Sequence, residues 1–137
     1  DTWNVSKVTT MGGMFRGATA FDQSLAAWDV SNVTDMSCMF YDTRRFNHFI
    51  GDWNVSSVTD MSMMFYGSRT FNQDIGTWDV SKVTNMRYMF SGAFVFDQSL
   101  ANWDVSKVTN MTQMFFGASA FNQESFNTWD TYSLLHI

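Results

Sequence analysis

Tryptophan recurs at positions 3, 28, 53, 78, 103 and 129, at intervals of 25 residues until a last interval of 26. A fixed period constrains the fold more than any other feature, because residues that recur at one distance occupy equivalent places on a repeated frame. Each Trp opens the same phrase. The third copy reads Trp53-Asn54-Val55-Ser56-Ser57-Val58-Thr59-Asp60-Met61, then Met64-Phe65, Gly67, Phe71-Asn72-Gln73 and Ile75. The fourth reads Trp78-Asp79-Val80-Ser81-Lys82-Val83-Thr84-Asn85-Met86, then Met89-Phe90, Gly92, Phe96-Asp97-Gln98 and Leu100. The spacing assigns repeats to 3–27, 28–52, 53–77, 78–102 and 103–128 of one domain spanning 1–137, with a partial repeat or C-terminal cap over 129–137. One extra residue near Ser125-Phe126 accounts for the longer final interval.

A 25-residue unit is too short for a helical pair or a propeller blade and falls in the range of leucine-rich-type coils. Val58, Met61, Met64 and Phe65 follow one another at helical offsets, which predicts a short helical or 3-10 turn with one apolar face. Thr59 or Ser56 would cap it, and Gly67 would end it with a positive φ. Phe71 to Ile75 then reads as a short strand. The predicted fold is a leucine-rich-repeat-like solenoid, each coil a short parallel β-strand plus a helical or 3-10 turn. Its strands would stack about 4.8 Å apart into a parallel sheet roughly 20–25 Å long. One coil alone cannot offset the entropy of ordering its chain, so stability is a property of neighbours. The Trp, Val, Met and Phe columns supply the expected core. The opening at Asp1, with Trp3 at once inside a repeat, reads as a processed product or fragment whose apolar first coil calls for a cover.

Charge narrows the function classes. The formal charge is −5, which opposes a nucleic-acid groove or a polybasic membrane patch. No apolar run reaches the roughly 18 residues of a membrane span, and no signal peptide is seen. Cys38 is the single cysteine, so neither an internal disulfide nor a cysteine-rich metal site is available.

The phrase W-[DN]-V-S-x-V-T-[DN]-M-x-x-M-F-x-G-A-x-x-F-[DN]-Q-x-[LI] resembles that of the BspA-like leucine-rich-repeat surface proteins. Asp29-Val30-Ser31, Val33-Thr34-Asp35-Met36, Met39-Phe40 and the stretch from Gly117-Ala118 to Phe121-Asn122-Gln123 carry the resemblance, which covers about nine-tenths of the chain. It implies a leucine-rich-like solenoid, secreted or held at a cell surface and used in adhesion or recognition, and it brings no catalytic residues. The departures are Asp42-Thr43 in place of Gly-Ala, His48-Phe49 in place of Gln and a polar residue, and a missing Leu near Ser125.

Most polar columns read as scaffold. The Asx residues beside Trp (Asn4, Asp29, Asn54, Asp79, Asp104, Asp130) and after Phe (Asp22, Asn47, Asn72, Asp97, Asn122) could form a calcium ladder, but free exchange of Asn for Asp favours turn and amide hydrogen bonds. The Gln column (Gln23, Gln73, Gln98, Gln123, interrupted by His48) is read the same way. His48 and His136 lack a second ligand at metal spacing, and Cys38 sits in a variable column as a tolerated surface or half-buried thiol rather than a nucleophile. Asn4, Asn32, Asn54 and Asn110 begin N-x-S/T triplets, glycosylation candidates only in a eukaryotic secretory setting. No catalytic, cofactor-binding or metal-binding constellation interrupts the repeat.

What varies from coil to coil is where function can reside. Arg16, Tyr41, Tyr66, Ser91 and Phe116 share one column, and Gly13, Cys38, Met63, Tyr88 and Gln113 another. Stacking would align Arg16, Tyr41, Tyr66, Phe116, Met63 and Tyr88 into a partner-binding stripe, since exposed aromatics anchor protein and glycan contacts. Arg44, Arg45 and Arg69 form a basic spot on an acidic chain. The functional expectation is a non-enzymatic interaction or adhesion module, extracellular or at a cell surface as the resemblance implies, with a protein or glycan partner. The alternative is a structural subunit packed against neighbours in a larger assembly, possibly membrane-associated.

Overall fold

The computed structural model describes residues 3–122, 128–130 and 137. The extra residue near Ser125-Phe126, Gln123, His136 and most of the proposed cap lie outside the described residues.

The backbone is mostly coil built around a regularly spaced aromatic cluster, and residues 25 apart lie against one another. Parallel bridges join Thr10 to Asp35, Asp35 to Asp60, Asp60 to Asn85 and Asn85 to Asn110. Beside them, the Thr34 amide donates to the Thr9 carbonyl at 2.8 Å, and Thr59, Thr84 and Thr109 each donate to the Thr of the coil before. The Thr hydroxyls donate to the same carbonyls at 3.2–3.3 Å. Like sits on like.

The expected helical turn does not form; no described residue is helical. After Met61 the amides take two routes in alternation. Met64, Tyr66 and Ser68 donate three residues back, to Met61, Met63 and Phe65. Met61, Met63, Phe65 and Gly67 instead donate out of the coil, to the carbonyls of Asn85, Arg87, Met89 and Ser91. A helix needs every amide within its own turn, so neighbour bonding and helix exclude each other here. The backbone also turns left-handed twice per coil. One site is the Gly17, Asp42, Gly67, Gly92, Gly117 column, and the other is Gly13, Cys38, Met63, Tyr88, Gln113. The second column varies in side chain, yet Cys38, Met63, Tyr88 and Gln113 all hold φ between 48° and 56°.

The expected strand at Phe71–Ile75 is also absent, and the bridges are isolated ones elsewhere in the coil. Side chains replace the backbone ladder in this stretch. The Asn72 amide donates to Asn47 Oδ1 at 2.9 Å, Asp97 to Asn72 Oδ1 at 2.9 Å and Asn122 to Asp97 Oδ1 at 3.1 Å. Gln73 Nε2 donates to both the carbonyl and Oδ1 of Asn47, and Gln98 does the same with Asn72. His48 keeps this pattern, with Nε2 2.8 Å from Asp22 Oδ1.

Two files of phenylalanines run through the core. Phe15, Phe40, Phe65, Phe90 and Phe115 stack at 5.5–5.8 Å between ring centroids. Phe21, Phe46, Phe71, Phe96 and Phe121 form the second file at 5.7–6.1 Å. Within each coil the two rings pack at 4.1–4.4 Å. Such offset stacks add to the transfer free energy of burying the rings. The tryptophans tie the files to the backbone: the indoles of Trp53, Trp78, Trp103 and Trp129 donate to the carbonyls of Leu25, Ile50, Ile75 and Leu100 at 3.0–3.1 Å. Val30, Val58, Met61, Met64, Met86 and Met89 fill the remaining interior.

Candidate recognition face

The left-handed pair of turns in each coil is what presents the variable side chains. The residue before the second turn (Arg16, Tyr41, Tyr66, Ser91, Phe116) follows the Phe of the first core file; Arg16 and Phe116 are exposed, Tyr41 and Tyr66 half-buried and Ser91 buried. Met63 and Tyr88, from the first left-handed column, lie beside Tyr41 and Tyr66. Stacking therefore converts two scattered sequence columns into neighbouring rows.

These rows meet in coils one to four. The Arg16 guanidinium lies 4.6 Å over the Tyr41 ring, a cation–π contact. Tyr41 stacks on Tyr66 at 4.7 Å, nearly parallel, and Tyr66 meets Tyr88 edge to face at 6.5 Å. Arg87 lies 5.9 Å from the Tyr88 ring centroid. Tyr41, Met63, Tyr66, Arg87 and Tyr88 line a shallow concavity of about 430 Å³. Arg87 is a member that sequence reading missed; its column (Gly12, Ser37, Ser62, Arg87, Thr112) carries no other long side chain, so only the stacked geometry reveals it.

Phe116 does not join this cluster. Ser91, only 4% exposed, occupies the column between it and Tyr66, and Phe116 is left 67% exposed. The three arginines also separate by environment. Arg44 is paired to Asp42, with Nε 3.0 Å and a terminal nitrogen 3.3 Å from its two oxygens. Arg69 lies 5.8 Å from the Phe94 ring centroid, and Arg45 is exposed.

The polar columns are engaged in holding turns. Asn4, Asp29, Asn54 and Asp79 accept both the amide and the hydroxyl of the Ser two residues on. Asp104 accepts the Ser106 amide, and donation from Ser31, Ser81 and Ser106 holds the carboxyls of Asp29, Asp79 and Asp104 below the usual Asp value. Asp35, Asp60, Asn85 and Asn110 make the same turn with the amide two residues on. Each of the four triplet asparagines is hydrogen-bonded: Asn32 donates through Nδ2 to the Ser6 carbonyl, and the other three accept through Oδ1. Burial pushes the Cys38 thiol up, against the activation a nucleophile needs. Among the described residues, no group of three or more His, Cys, Asp or Glu is gathered for a metal ion. No helix among them is long and apolar enough to cross a membrane.

No curated protein and no solved structure matches the chain. One family model does, twice and with overlap, as an internally repeated sequence requires. It covers residues 1–80 and again 48–137, so the chain belongs to the family described as Mycoplasma protein of unknown function, DUF285.

Proposed function

We propose that this protein is a non-enzymatic recognition module, a leucine-rich-like solenoid whose Arg16–Tyr41–Tyr66–Tyr88 face binds a partner at a cell surface. The carrying observation is the contact chain of Arg16, Tyr41, Tyr66 and Tyr88 across four successive coils. Tyr is suited to this task because it offers a large rigid area with little rotamer entropy to lose and a hydroxyl at its tip. The core beneath is fixed by the phenylalanine files, so the face is pre-organised and little ordering is required on binding. The resemblance of the repeat to the BspA-like surface proteins supports the same reading and the same location. The whole chain forms the single domain of this reading, with residues 129–137 as its terminal coil or cap.

Chemical cross-linking from a photoreactive group placed at Met63, which lines the same concavity, on cells of the source organism tests the proposal. Adducts with one defined surface protein or glycan, lost in a Tyr41→Ser/Tyr66→Ser variant that keeps its melting temperature, are the expected result. Adducts only with further copies of the chain or with tightly co-purifying subunits would instead favour a structural role in a larger assembly.

A further inference from the structure

The tyrosine face turns ring edges and tips outward, and this sets the class of partner it fits. Arg16 covers one face of the Tyr41 ring at 4.6 Å, and Tyr66, from the next coil, covers the other at 4.7 Å. The parallel pair leaves no slot between its rings. Toward the fourth coil Tyr66 meets Tyr88 differently, at an interplanar angle of 68° with 6.5 Å between centroids, and the tilt opens a notch. The half-buried Met63 and the exposed Arg87 complete the lining of the concavity at that notch, about 430 Å³, and no carboxylate lines it.

The hydrogen-bonding capacity of this face is one-sided. Beneath the rings the backbone is closed: every amide from Met61 to Ser68 is donated within its turn or to the next coil. The carbonyls of Ser62, Met64 and Tyr66 accept from the coil before, and those of Met61, Met63 and Phe65 accept within the turn. An added strand therefore finds no free edge to pair with. Among the described residues, the hydroxyls of Tyr41, Tyr66 and Tyr88 and the guanidinium groups of Arg16 and Arg87 make no hydrogen bond or ion pair. A guanidinium only donates, and each hydroxyl has a proton to give, so the free polar groups call for acceptors.

We infer that this face binds a proline-rich segment in the polyproline II conformation, which seats a proline ring in the Tyr66–Tyr88 notch and gives its carbonyls to Arg87 and the tyrosine hydroxyls. Proline has no N–H, so such a segment brings acceptors to a face whose free groups donate. Polyproline II has no internal hydrogen bonds and leaves its carbonyls open, so it needs no strand edge. Its turn of three residues rises about 9 Å, and the two coils from Tyr41 to Tyr88 span about 10 Å, so prolines three apart meet both ends of the tyrosine row. Segment and face are both rigid beforehand, which lowers the ordering cost. The bonds are to carbonyl dipoles, so the formal charge of −5 does not oppose them. A pyranose lying flat needs an open ring face, and both faces of Tyr41 are covered. The chain itself contains no proline, so a second copy is not the occupant. The inference rests on the recognition role proposed above and names the class of its partner.

The test is titration of the whole ¹⁵N-labelled chain with acetylated decaproline amide, following the amide signals of Met63, Tyr66 and Tyr88. Saturable shifts are expected, weakened about tenfold or more by Tyr88→Gln, which removes one side of the notch, and by Arg87→Ser, which removes the guanidinium donor. Each variant repeats a residue found at the same place in a neighbouring coil, Gln113 for the first and Ser62 for the second, and thermal melts verify that both stay folded. A Gly-Ser peptide of the same length should give no saturable shift. Unmoved signals at millimolar decaproline, undiminished binding by either variant, or equal binding of the Gly-Ser peptide would overturn the inference. Photo-cross-linking at Met63 separates it from the recognition role: cellular adducts with a glycan, or with a protein lacking a proline-rich segment, would overturn the inference and leave that role intact.

Discussion

The Trp78 indole donates to the carbonyl of Ile50, 28 residues earlier, at 3.0 Å. The Trp53 amide donates to the same oxygen at 3.1 Å, so one carbonyl joins the turn of its own coil to the side chain of the next. Replacing Trp78 with Phe removes one of the two donors and part of a buried ring system. The expected cost is about 1–3 kcal/mol by urea unfolding. Trp3→Phe alters a residue that is 67% exposed and should change stability by less than about 0.5 kcal/mol. Equal effects at the two positions would show that the indole bond does not tie the coils.

The left-handed column gives a prediction of opposite sign at adjacent residues. Gln113 holds φ at 48°, which costs a residue with a Cβ roughly 1–2 kcal/mol. Gln113→Gly relieves that strain and should leave stability unchanged or raise it by up to about 1 kcal/mol. Thr112→Gly, one residue away, gains no such relief and should lower stability by about 0.5–1 kcal/mol. Thermal melts of the two variants check this, and parallel losses would contradict the assigned backbone.

Acid sensitivity should come in part from the serine-capped aspartates. The carboxyls of Asp29, Asp79 and Asp104 are held below 3.8 in the fold, first by the Ser side chain and then by its amide. A depressed value means that the stability they add is present above the unfolded pKa and is lost as pH falls through the folded one. The melting temperature should therefore drop below about pH 4. Asn serves the same turn at positions 4 and 54, so Asp29→Asn/Asp79→Asn/Asp104→Asn should preserve the fold at pH 7 and give a shallower acid drop. Parallel acid profiles would remove these three groups from the account.

His48 tests whether the amide ladder is a matter of geometry. Its Nε2 reaches Asp22 Oδ1 where Gln73 and Gln98 reach the Asn of the coil before. His48→Gln should be neutral within about 0.5 kcal/mol, as for an exposed exchange that keeps its bond, and His48→Ala should lose about 0.5–1.5 kcal/mol. A larger loss for Gln than for Ala in denaturant melts would show that the ladder is not what His48 supplies.

The period of Trp, Met and Phe in the sequence was enough to place like residues beside like, because side-chain identity at a fixed interval is a direct record of stacking. Local conformation was not legible in the same way. Val58, Met61, Met64 and Phe65 satisfy a helical template, yet their amides alternate between the turn and the next coil, a choice set by the neighbour and invisible within one repeat. The extended reading of Phe71–Ile75 failed for a related reason: Asn47 and Asn72 side chains accept the bonds that a strand partner would have taken. The tyrosine stripe could be named from its columns. Arg87 could not, since its column (Gly12, Ser37, Ser62, Arg87, Thr112) carries no other long side chain and only stacking brings it to the Tyr88 ring.

Cross-linking at the outer surface tests the stacking of equivalent residues most directly. Lys82 and Lys107 are both exposed and 25 apart, one rung from each other if the coils stack in this alignment. In a Cys38→Ser background, Lys82→Cys/Lys107→Cys should oxidise readily to an intramolecular disulfide without loss of melting temperature, because one rung of about 5 Å lies within disulfide reach. A pair that stays reduced, or that closes only with unfolding, would contradict the stacked arrangement on which the core and the tyrosine face both depend.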